Sequence, residues 1–137
     1  MPNSDHDKSL PPRPMQLITQ AQREQLIANG RASRDAETDH WPVVKLFTPD
    51  AGATWLLTEL DPDRADLAWG LCDLGLGFAE YGTVFISEIA SVRGRLNLPV
   101  ERDLHFRAWG PISAYIAVSG PAGRIVEHVA AAEGGAQ

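Results

Sequence analysis

The chain has 137 residues and a net charge of −6, with 44% hydrophobic and 22% charged residues. These values exclude a disordered chain, and no apolar run approaches the ~20 residues that a membrane span needs. The single cysteine, Cys72, excludes an intramolecular disulfide. We therefore expect one soluble domain, located in the cytoplasm, whose core forms without metal or disulfide support.

The negative charge is concentrated in the middle of the chain. Residues 41–90 contain eight acidic side chains against Lys45 and Arg64 alone. A field of that sign repels phosphate backbones, so direct nucleic-acid binding through this segment is not expected. The acids predict a surface that attracts a basic protein partner, unless they only keep a small domain soluble.

The two ends of the chain are expected to lie outside the fold. Residues 1–15 contain four prolines and mixed charge, which predicts a flexible leader. Residues 131–137 predict a flexible tail rich in alanine and glycine. A single domain is therefore expected over residues 16–130.

The first predicted element is a helix with the sequence LITQAQREQLIANG. Thr19 is its predicted N-cap, and Gln22 is the capping-box partner three positions later. Gly30 is the predicted stop, since glycine commonly follows the last turn of a helix. Residues 31–40 show no periodicity and are expected to form a polar connection.

Four extended runs follow the helix: VVKLF, TWLLTEL, ADLAWGLCD and YGTVFIS. They are rich in β-branched and aromatic residues and are separated by short turns, which predicts an antiparallel meander. In the third run Leu67, Trp69 and Leu71 alternate with smaller residues. We expect Trp69 and its two neighbours in the core, and Cys72 beside them to be buried and unreactive.

The last third of the chain mixes helices with one more strand. SEIASVRG predicts a short helix capped by Ser87, and PVERDLHFRAW predicts a fifth strand with Leu104 and Phe106 facing the core. GPISAYIAVSG predicts a helix capped by Ser113, and helical spacing continues to Val129. The predicted fold is α+β: an N-terminal helix packed on a four- to five-stranded, mainly antiparallel sheet with short C-terminal helices.

The glycine-rich stretch CDLGLGFAEYG does not have the pattern of a nucleotide-binding loop. A dinucleotide fingerprint needs a third glycine where this chain has Glu80, and a P-loop needs a lysine that does not follow Gly82. We interpret the stretch as a connection between strands in which the glycines permit positive φ. No cofactor is predicted.

No metal site and no catalytic nucleophile are predicted either. The four histidines are scattered, and none has the i, i+4 spacing of a helical zinc motif. No serine lies in a G-x-S-x-G elbow. We therefore assign no catalytic residue.

Carboxylates leave one enzymatic alternative open. Two carboxylates with separated pKa values catalyse glycoside hydrolysis. Glu59 and Asp73 would approach each other if the hairpins align, and Asp61 and Glu80 are further candidates. A small hydrolase using a pair of these carboxylates is therefore the alternative function, and a structural or regulatory subunit is the third.

The predicted interaction face combines acidic residues with aromatic side chains. Aromatic residues beside glycine or proline in connections are suited to anchor an interface. Acidic residues in turns and at strand ends would surround them, and lysine substitutions in the turn at residues 61–66 are expected to be tolerated. The face contains Asp61, Asp63, Asp66, Asp73, Glu80, Tyr81 and Trp109.

Three longer phrases of the sequence resemble a known family. PVVKLFTPDAGATWLLTELDPD, GLCDLGLGFAEYG and SVRGRLNLPVERDLHF are similar to the small proteobacterial proteins grouped as domain of unknown function 2958, over residues 16 to about 118. The resemblance carries no activity and no catalytic residue. Its members look like accessory genes of plasmids and integrated mobile elements, which by analogy implies host interaction or defence evasion.

These observations together predict a small acidic binding protein without a catalytic motif. Its partner would be a host protein or an element-encoded protein, such as a basic nucleic-acid-binding protein. Direct contact with nucleic acid or with a membrane is not expected. The protein would act by occupying that partner.

Overall fold

A five-stranded antiparallel sheet carries helices on both faces in the computed structural model, which describes residues 16–128. The elements in chain order are α1 Gln20–Asp35, β1 Val44–Phe47, β2 Thr54–Asp61, β3 Arg64–Asp73, β4 Ala79–Phe85, α2 Ile86–Ser91, β5 Glu101–Arg102 and α3 Ile112–Ala122. The strand order is β4-β3-β2-β1-β5. The predicted α+β fold is confirmed, and the predicted leader (1–15) and tail (131–137) lie outside the described residues.

The first helix begins where the sequence predicts and ends later. Thr19 Oγ1 accepts the amide of Gln22, and the Gln22 side chain accepts the amide of Thr19, so the capping box is formed. The predicted stop at Gly30 is wrong, because α1 continues to Asp35. Gly30 is instead a packing position: a Cβ there would overlap the carbonyl oxygen of Leu60 in β2.

The predicted antiparallel meander of β1 to β4 is confirmed. β3 and β4 pair without interruption, from Leu67 opposite Phe85 to Asp73 opposite Ala79. β4 therefore lies two residues earlier than the sequence pattern indicates, and Ile86 already begins α2.

Two separate clusters of buried side chains fill the two faces of the sheet. The first lies beneath α1 and α2 and includes Leu26, Trp55 and Ile89. Successive residues of β2 serve opposite clusters, as the two-residue period of a strand requires. The second cluster, beneath α3, contains Leu56, Leu71, Ile112, Tyr115 and Ile125.

No helix in the described part of the chain is long and apolar enough to cross a membrane.

The prediction that Trp69 belongs to the core is wrong. Its side chain is 37% exposed and stacks on Tyr81, with ring centroids 6.0 Å apart. Trp69 faces the same side as Leu71, which is fully buried. The difference arises because the buried cluster beneath α3 reaches Leu71 but does not extend two residues further along β3.

The fifth strand is much shorter than predicted. Leu104 is 65% exposed instead of facing the core, whereas Phe106 does pack against the second cluster. The chain turns at Asp103, whose carboxylate accepts the amide of His105 at 2.9 Å and whose carbonyl accepts the amide of Phe106. This side-chain-to-backbone turn ends β5 before Leu104.

Distant aspartates hold the first turns of α2 and α3. Ser87 and Ser113, the predicted N-caps, lie within those turns and not ahead of them, so the capping predictions are wrong. Each serine donates its amide and its hydroxyl to a carboxylate from elsewhere in the chain, Asp66 for Ser87 and Asp39 for Ser113. Negative charge beside a helix N-terminus is favourable, which explains the pairing.

The chain after α3 packs on the sheet without forming a further helix. Gly123 ends α3 with φ 73°, the left-handed conformation that glycine adopts readily. Residues 125–128 have no regular structure, and Val129 lies outside the described residues. Ile125 is buried in the second cluster, so the apolar spacing reflects docking of an irregular segment.

Gly30→Ala should destabilise the protein, because a Cβ at this position would overlap Leu60. Overpacking costs about 1–3 kcal/mol, more than the ~1 kcal/mol that alanine gains over glycine in a helix. Gly120→Ala in α3 is the matched control, since nothing lies within 4 Å of a Cβ there. Urea unfolding should show a loss of stability for Gly30→Ala alone; equal stabilities would contradict the close helix–strand contact.

Candidate functional site

The residues of the predicted interaction face lie at opposite ends of the sheet. Asp61, Asp63 and Asp66 lie at the β2–β3 hairpin, where Asp61 pairs with Arg64. Asp73 pairs with Thr54 at the other end of the same two strands. β2 spans eight residues from one end to the other, and its seven steps correspond to about 23 Å. The structure therefore does not bring the predicted face together on one surface.

The hairpin aspartates are engaged in internal bonds. Asp61 accepts the amides of Asp63 and Arg64 at 2.8 and 3.1 Å. Arg34 of α1 lies 3.0 Å from the carboxylates of both Asp61 and Asp63. Asp66 holds the first turn of α2. Lysine substitutions in this turn would remove structural bonds, so the expectation that the fold tolerates them is not supported.

Asp73 is also a structural residue. Its side chain is buried, with 7% of the residue exposed. One carboxylate oxygen accepts the amide of Gly75 at 2.8 Å, and the other accepts the amide of Ile125 at 3.1 Å. Glu80, by contrast, is exposed on β4.

The two aromatic residues of the predicted face differ in their surroundings. Tyr81 is exposed, stacks on Trp69 and shares a hydrogen bond with Thr58 through its hydroxyl. Partial burial raises the pKa of the Tyr81 phenol. Trp109 is half-buried against Tyr115, with ring centroids 4.3 Å apart, and packs on the second cluster. Of these two, only Tyr81 presents an exposed aromatic surface.

The proposed carboxylate pair of Glu59 and Asp73 does not form. Glu59 lies opposite Trp69, whereas Asp73 lies opposite Thr54 five residues earlier in β2. Glu59 and Asp61 do line one cavity of about 220 Å³ beside α1. Of the carboxylates predicted for the hydrolase alternative, these two share a cavity.

A serine, a histidine and a carboxylate meet beside that cavity, which sequence reasoning missed. Ser33 donates to the carboxylate of Glu59, and Nε2 of His40 lies 3.2 Å from Ser33 Oγ and 3.6 Å from Glu59. The same Nε2 lies 3.0 Å from the carbonyl oxygen of Asn29. A carbonyl only accepts hydrogen bonds, so this contact requires Nε2 to carry a proton.

This arrangement lacks the geometry of a catalytic triad. In a triad one imidazole nitrogen accepts the serine proton while the other donates to the carboxylate. Here a single protonated nitrogen of His40 faces Ser33, Asn29 and Glu59 together. The cluster joins the last turns of α1 to β2 at the irregularity between Leu57 and Glu59. Within residues 16–128 no three histidine, cysteine or acidic side chains are grouped as metal ligands.

The glycine-rich stretch forms an ordered loop that exposes apolar side chains. Gly75 and Gly77 have φ angles of 77° and 96°, so the interpretation of this stretch as a turn with positive φ is confirmed. Leu74, Leu76 and Phe78 are all exposed, Leu76 by 68%. Alternating glycine and large apolar residues in a connection were the sequence signal for this surface.

A second loop, residues 93–98, exposes two further leucines. Asp50 in the β1–β2 turn accepts the amide of Leu96 at 2.6 Å and lies 3.4 Å from the amide of Leu98. Asn97 between them has φ 60°, an uncommon conformation for a residue with a side chain. Leu96 is 72% exposed, and Leu98 is also exposed.

The two loops lie at the same end of the sheet, with the β1–β2 turn between them. A Cβ on Gly75 would lie 3.2 Å from the carbonyl oxygen of Gly52, so the turn and the first loop are in contact. The same turn holds the second loop through Asp50. We call this surface the apolar end, and it consists of Leu74, Leu76, Phe78, Leu96 and Leu98.

A cavity of about 330 Å³ between β4 and α2 adjoins the apolar end through Leu74; we call it the β4 groove. Cys72 faces this groove, and burial raises the pKa of its thiol to about 11, with a further contribution from the carboxylate of Glu80. The groove combines apolar walls with one carboxylate. Its lining includes Cys72, Leu74, Thr83, Val84, Glu88 and Val92.

Comparison with known proteins gives one match. A family model described as "Protein of unknown function (DUF2958)" matches residues 17–126. No curated protein and no solved structure matches the chain. The matched segment includes every described strand and helix, and therefore the apolar end and the β4 groove as well.

Cys72 should react slowly with a thiol reagent in the native protein. Thiolate is the reactive form, and a pKa of about 11 instead of 9.0 lowers its fraction at pH 8 about hundredfold. Glu80→Gln should accelerate labelling because it removes a nearby negative charge, whereas Glu24→Gln on exposed α1 should not. The structure places Cys72 at intermediate exposure and not fully buried as predicted. Labelling of the native protein as fast as in denaturant would contradict this partial burial.

Asp73→Asn should lower the free energy of unfolding, because an amide cannot accept from Gly75 and Ile125 as two carboxylate oxygens do. We expect a loss of about 1–3 kcal/mol. Glu80→Gln removes the same charge from an exposed position and should change stability by less than about 0.5 kcal/mol. Urea unfolding of the two variants measures the difference, and equal small effects would contradict a structural role for Asp73.

Proposed function

We propose that this protein binds another protein and has no catalytic activity. The chain belongs to the DUF2958 family of proteins of unknown function. The observation that carries this proposal is the apolar end, where five large hydrophobic side chains lie exposed on neighbouring loops. Single exposed hydrophobic residues are normal, but a group of them at one site is typical of an interaction surface.

The loops of the apolar end are held in place before any partner binds. Asp73 fixes the first loop through Gly75, and Asp50 fixes the second through Leu96. Ordered loops lose less conformational entropy on association than flexible ones, so more of the burial energy appears as affinity. This rigidity supports a role in binding over one in covering a core.

The acidic residues of the middle segment contribute less to an interaction surface than their number suggests. Arg34 bridges Asp61 and Asp63, Asp66 holds α2, and Asp73 is buried. These internal bonds favour a structural use of the acids over a single steering face. The partner is therefore recognised first through apolar contact, with exposed carboxylates as secondary contributors.

The biological setting of the proposal comes from the resemblance to mobile-element accessory genes. It supports a cytoplasmic protein that occupies a host protein or an element-encoded protein, with defence evasion as one outcome. The hydrolase alternative is supported only by the presence of Glu59 and Asp61 on one cavity. The geometry of Ser33 and His40 beside that cavity does not supply a nucleophile.

Replacing Leu76 and Phe78 with serine should abolish capture of the partner, because truncating apolar anchors typically costs tenfold or more in affinity. The matched control is Leu104→Ser, since Leu104 is as exposed as Leu76, at 65% against 68%, but lies beyond β5 near Val44. Immobilised wild-type and variant proteins are incubated with the same bacterial lysate, and retained proteins are quantified by mass spectrometry.

The expected result is a protein retained by the wild type and by Leu104→Ser but depleted at least about tenfold on the double variant. Circular dichroism and urea unfolding confirm that all three are folded. An identical set of retained proteins on all three surfaces would contradict the proposal.

A further inference from the structure

We infer that the partner contributes an extended segment that adds as a sixth strand along the outer edge of β4, with one apolar side chain in the β4 groove and basic side chains beside Glu80 and Glu88. This inference rests on the proposed binding function. It specifies the form of the partner: an apolar and basic peptide in strand conformation.

The first argument is the condition of the sheet edge. β4 is the outermost strand, seven residues long, and pairs with β3 in unbroken register without a bulge. The opposite edge strand, β5, has only two residues. Natural edges are usually protected by short length, charged side chains, proline or bulges, and of these β4 has only the carboxylate of Glu80.

The outward backbone groups of β4 are free to bind a strand. Apart from the pairing with β3, the residues from Ala79 to Val84 make one hydrogen bond to the described part of the chain. That bond involves the hydroxyl of Tyr81 and no backbone group of β4. The edge ends at Phe85, whose amide donates to the carboxylate of Glu88 at 3.1 Å. Six residues of edge are therefore available, enough for an added strand of ordinary length.

The second argument is the groove that runs beside this edge. Thr83 and Val84 of β4 form one wall, and Glu88 and Val92 from the α2 side form the other. Side chains of an added strand alternate between the two faces of the sheet, so every second residue would point toward the α2 side. A cavity of about 330 Å³ can hold one large aliphatic side chain from such a position.

Charge indicates which strand would be accepted. Glu80 is exposed on β4 itself, and Glu88 lines the groove. A second copy of the chain, paired through its own β4, would bring two more carboxylates to the same interface and would be disfavoured by repulsion. A segment with lysine or arginine at alternating positions would instead form favourable cross-strand pairs.

The β4 groove and the apolar end are continuous. Leu74 belongs to both, since it lines the groove and is exposed in the first loop. Phe78 immediately precedes the first residue of β4. A segment added to β4 therefore continues directly over the exposed side chains that the proposed function requires.

The test uses a fluorescein-labelled eight-residue peptide of alternating valine and lysine, followed by fluorescence anisotropy and by amide hydrogen exchange of the ¹⁵N-labelled protein. The matched control peptides alternate valine with glutamate, or carry N-methyl groups on one backbone edge. We expect binding of the valine–lysine peptide and at least about tenfold weaker binding of both controls. Exchange should slow at alternate amides of residues 79–84 and not in β5.

The matched protein variants are Glu80→Lys and Glu24→Lys, which make the same charge change at two exposed positions. Glu80→Lys should weaken binding at least about tenfold, and Glu24→Lys less than about threefold. Val92→Trp, which fills the groove from a residue outside β4, should also weaken binding. Exchange spectra of the free variants verify that the sheet is intact.

Three results would overturn the inference. The first is that the peptide does not bind at about 1 mM, a concentration that would reveal even weak binding. The second is binding without protection of the amides of residues 79–84, and the third is protection of these amides that depends only on protein concentration. The last result would assign the edge to a second copy of the chain. After any of these results, the proposed function still holds if the variant with serine at Leu76 and Phe78 no longer captures the partner. If that variant captures the partner as well as the wild type does, while the peptide still protects the amides of β4, only the apolar end is rejected as the binding surface.

Discussion

Two carboxylates hold the loops at one end of the sheet, and the surface of this protein depends on them. Asp73, at the end of β3, joins the first loop through Gly75 to the segment after α3 through Ile125. Asp50 joins the β1–β2 turn to the second loop through Leu96. Because a carboxylate binds amides more strongly than water-exposed neutral groups do, these contacts fix loops that would otherwise be free to move.

The consequence is an apolar surface that is displayed instead of being buried. Asp73 accepts the amide of Ile125, whose side chain is buried in the second cluster. Gly77 lies against Gly123 at the end of α3: a Cβ on Gly123 would lie 2.6 Å from the carbonyl oxygen of Gly77. The first loop is therefore confined between a helix end and a turn. Its leucine and phenylalanine side chains point away from both and remain accessible.

Local signals predicted the parts of the fold that depend on neighbouring residues. The capping box at Thr19 and the meander follow from short-range patterns, and both are present. Gly30 was predicted as a stop because glycine commonly follows the last turn of a helix. Its packing against Leu60 is a contact between distant segments, which the local pattern does not contain. The alternation of β3 identified the face of Trp69, but only the extent of the buried cluster beneath α3 decides whether that face is covered.

The functional surface was less predictable for the same reason. Acidic residues in the middle segment suggested a binding face, but some of them hold segments far away in sequence: Asp66 binds Ser87, 21 residues away, and Asp73 binds Ile125, 52 residues away. Such hydrogen bonds engage carboxylates that the composition counts as free. In the apolar end, alternating glycine and large apolar residues mark the first loop, but no sequence pattern links this loop to Leu96 and Leu98.

The most direct test of this account is native-state hydrogen exchange at the amides of Gly75, Leu96 and Ile125. If Asp73 and Asp50 hold the loops, these three amides should exchange at least about hundredfold more slowly than in an unstructured peptide, as amides in stable hydrogen bonds do. Exchange within about threefold of the unstructured rate would mean that the loops open freely. That result would contradict a preformed apolar surface.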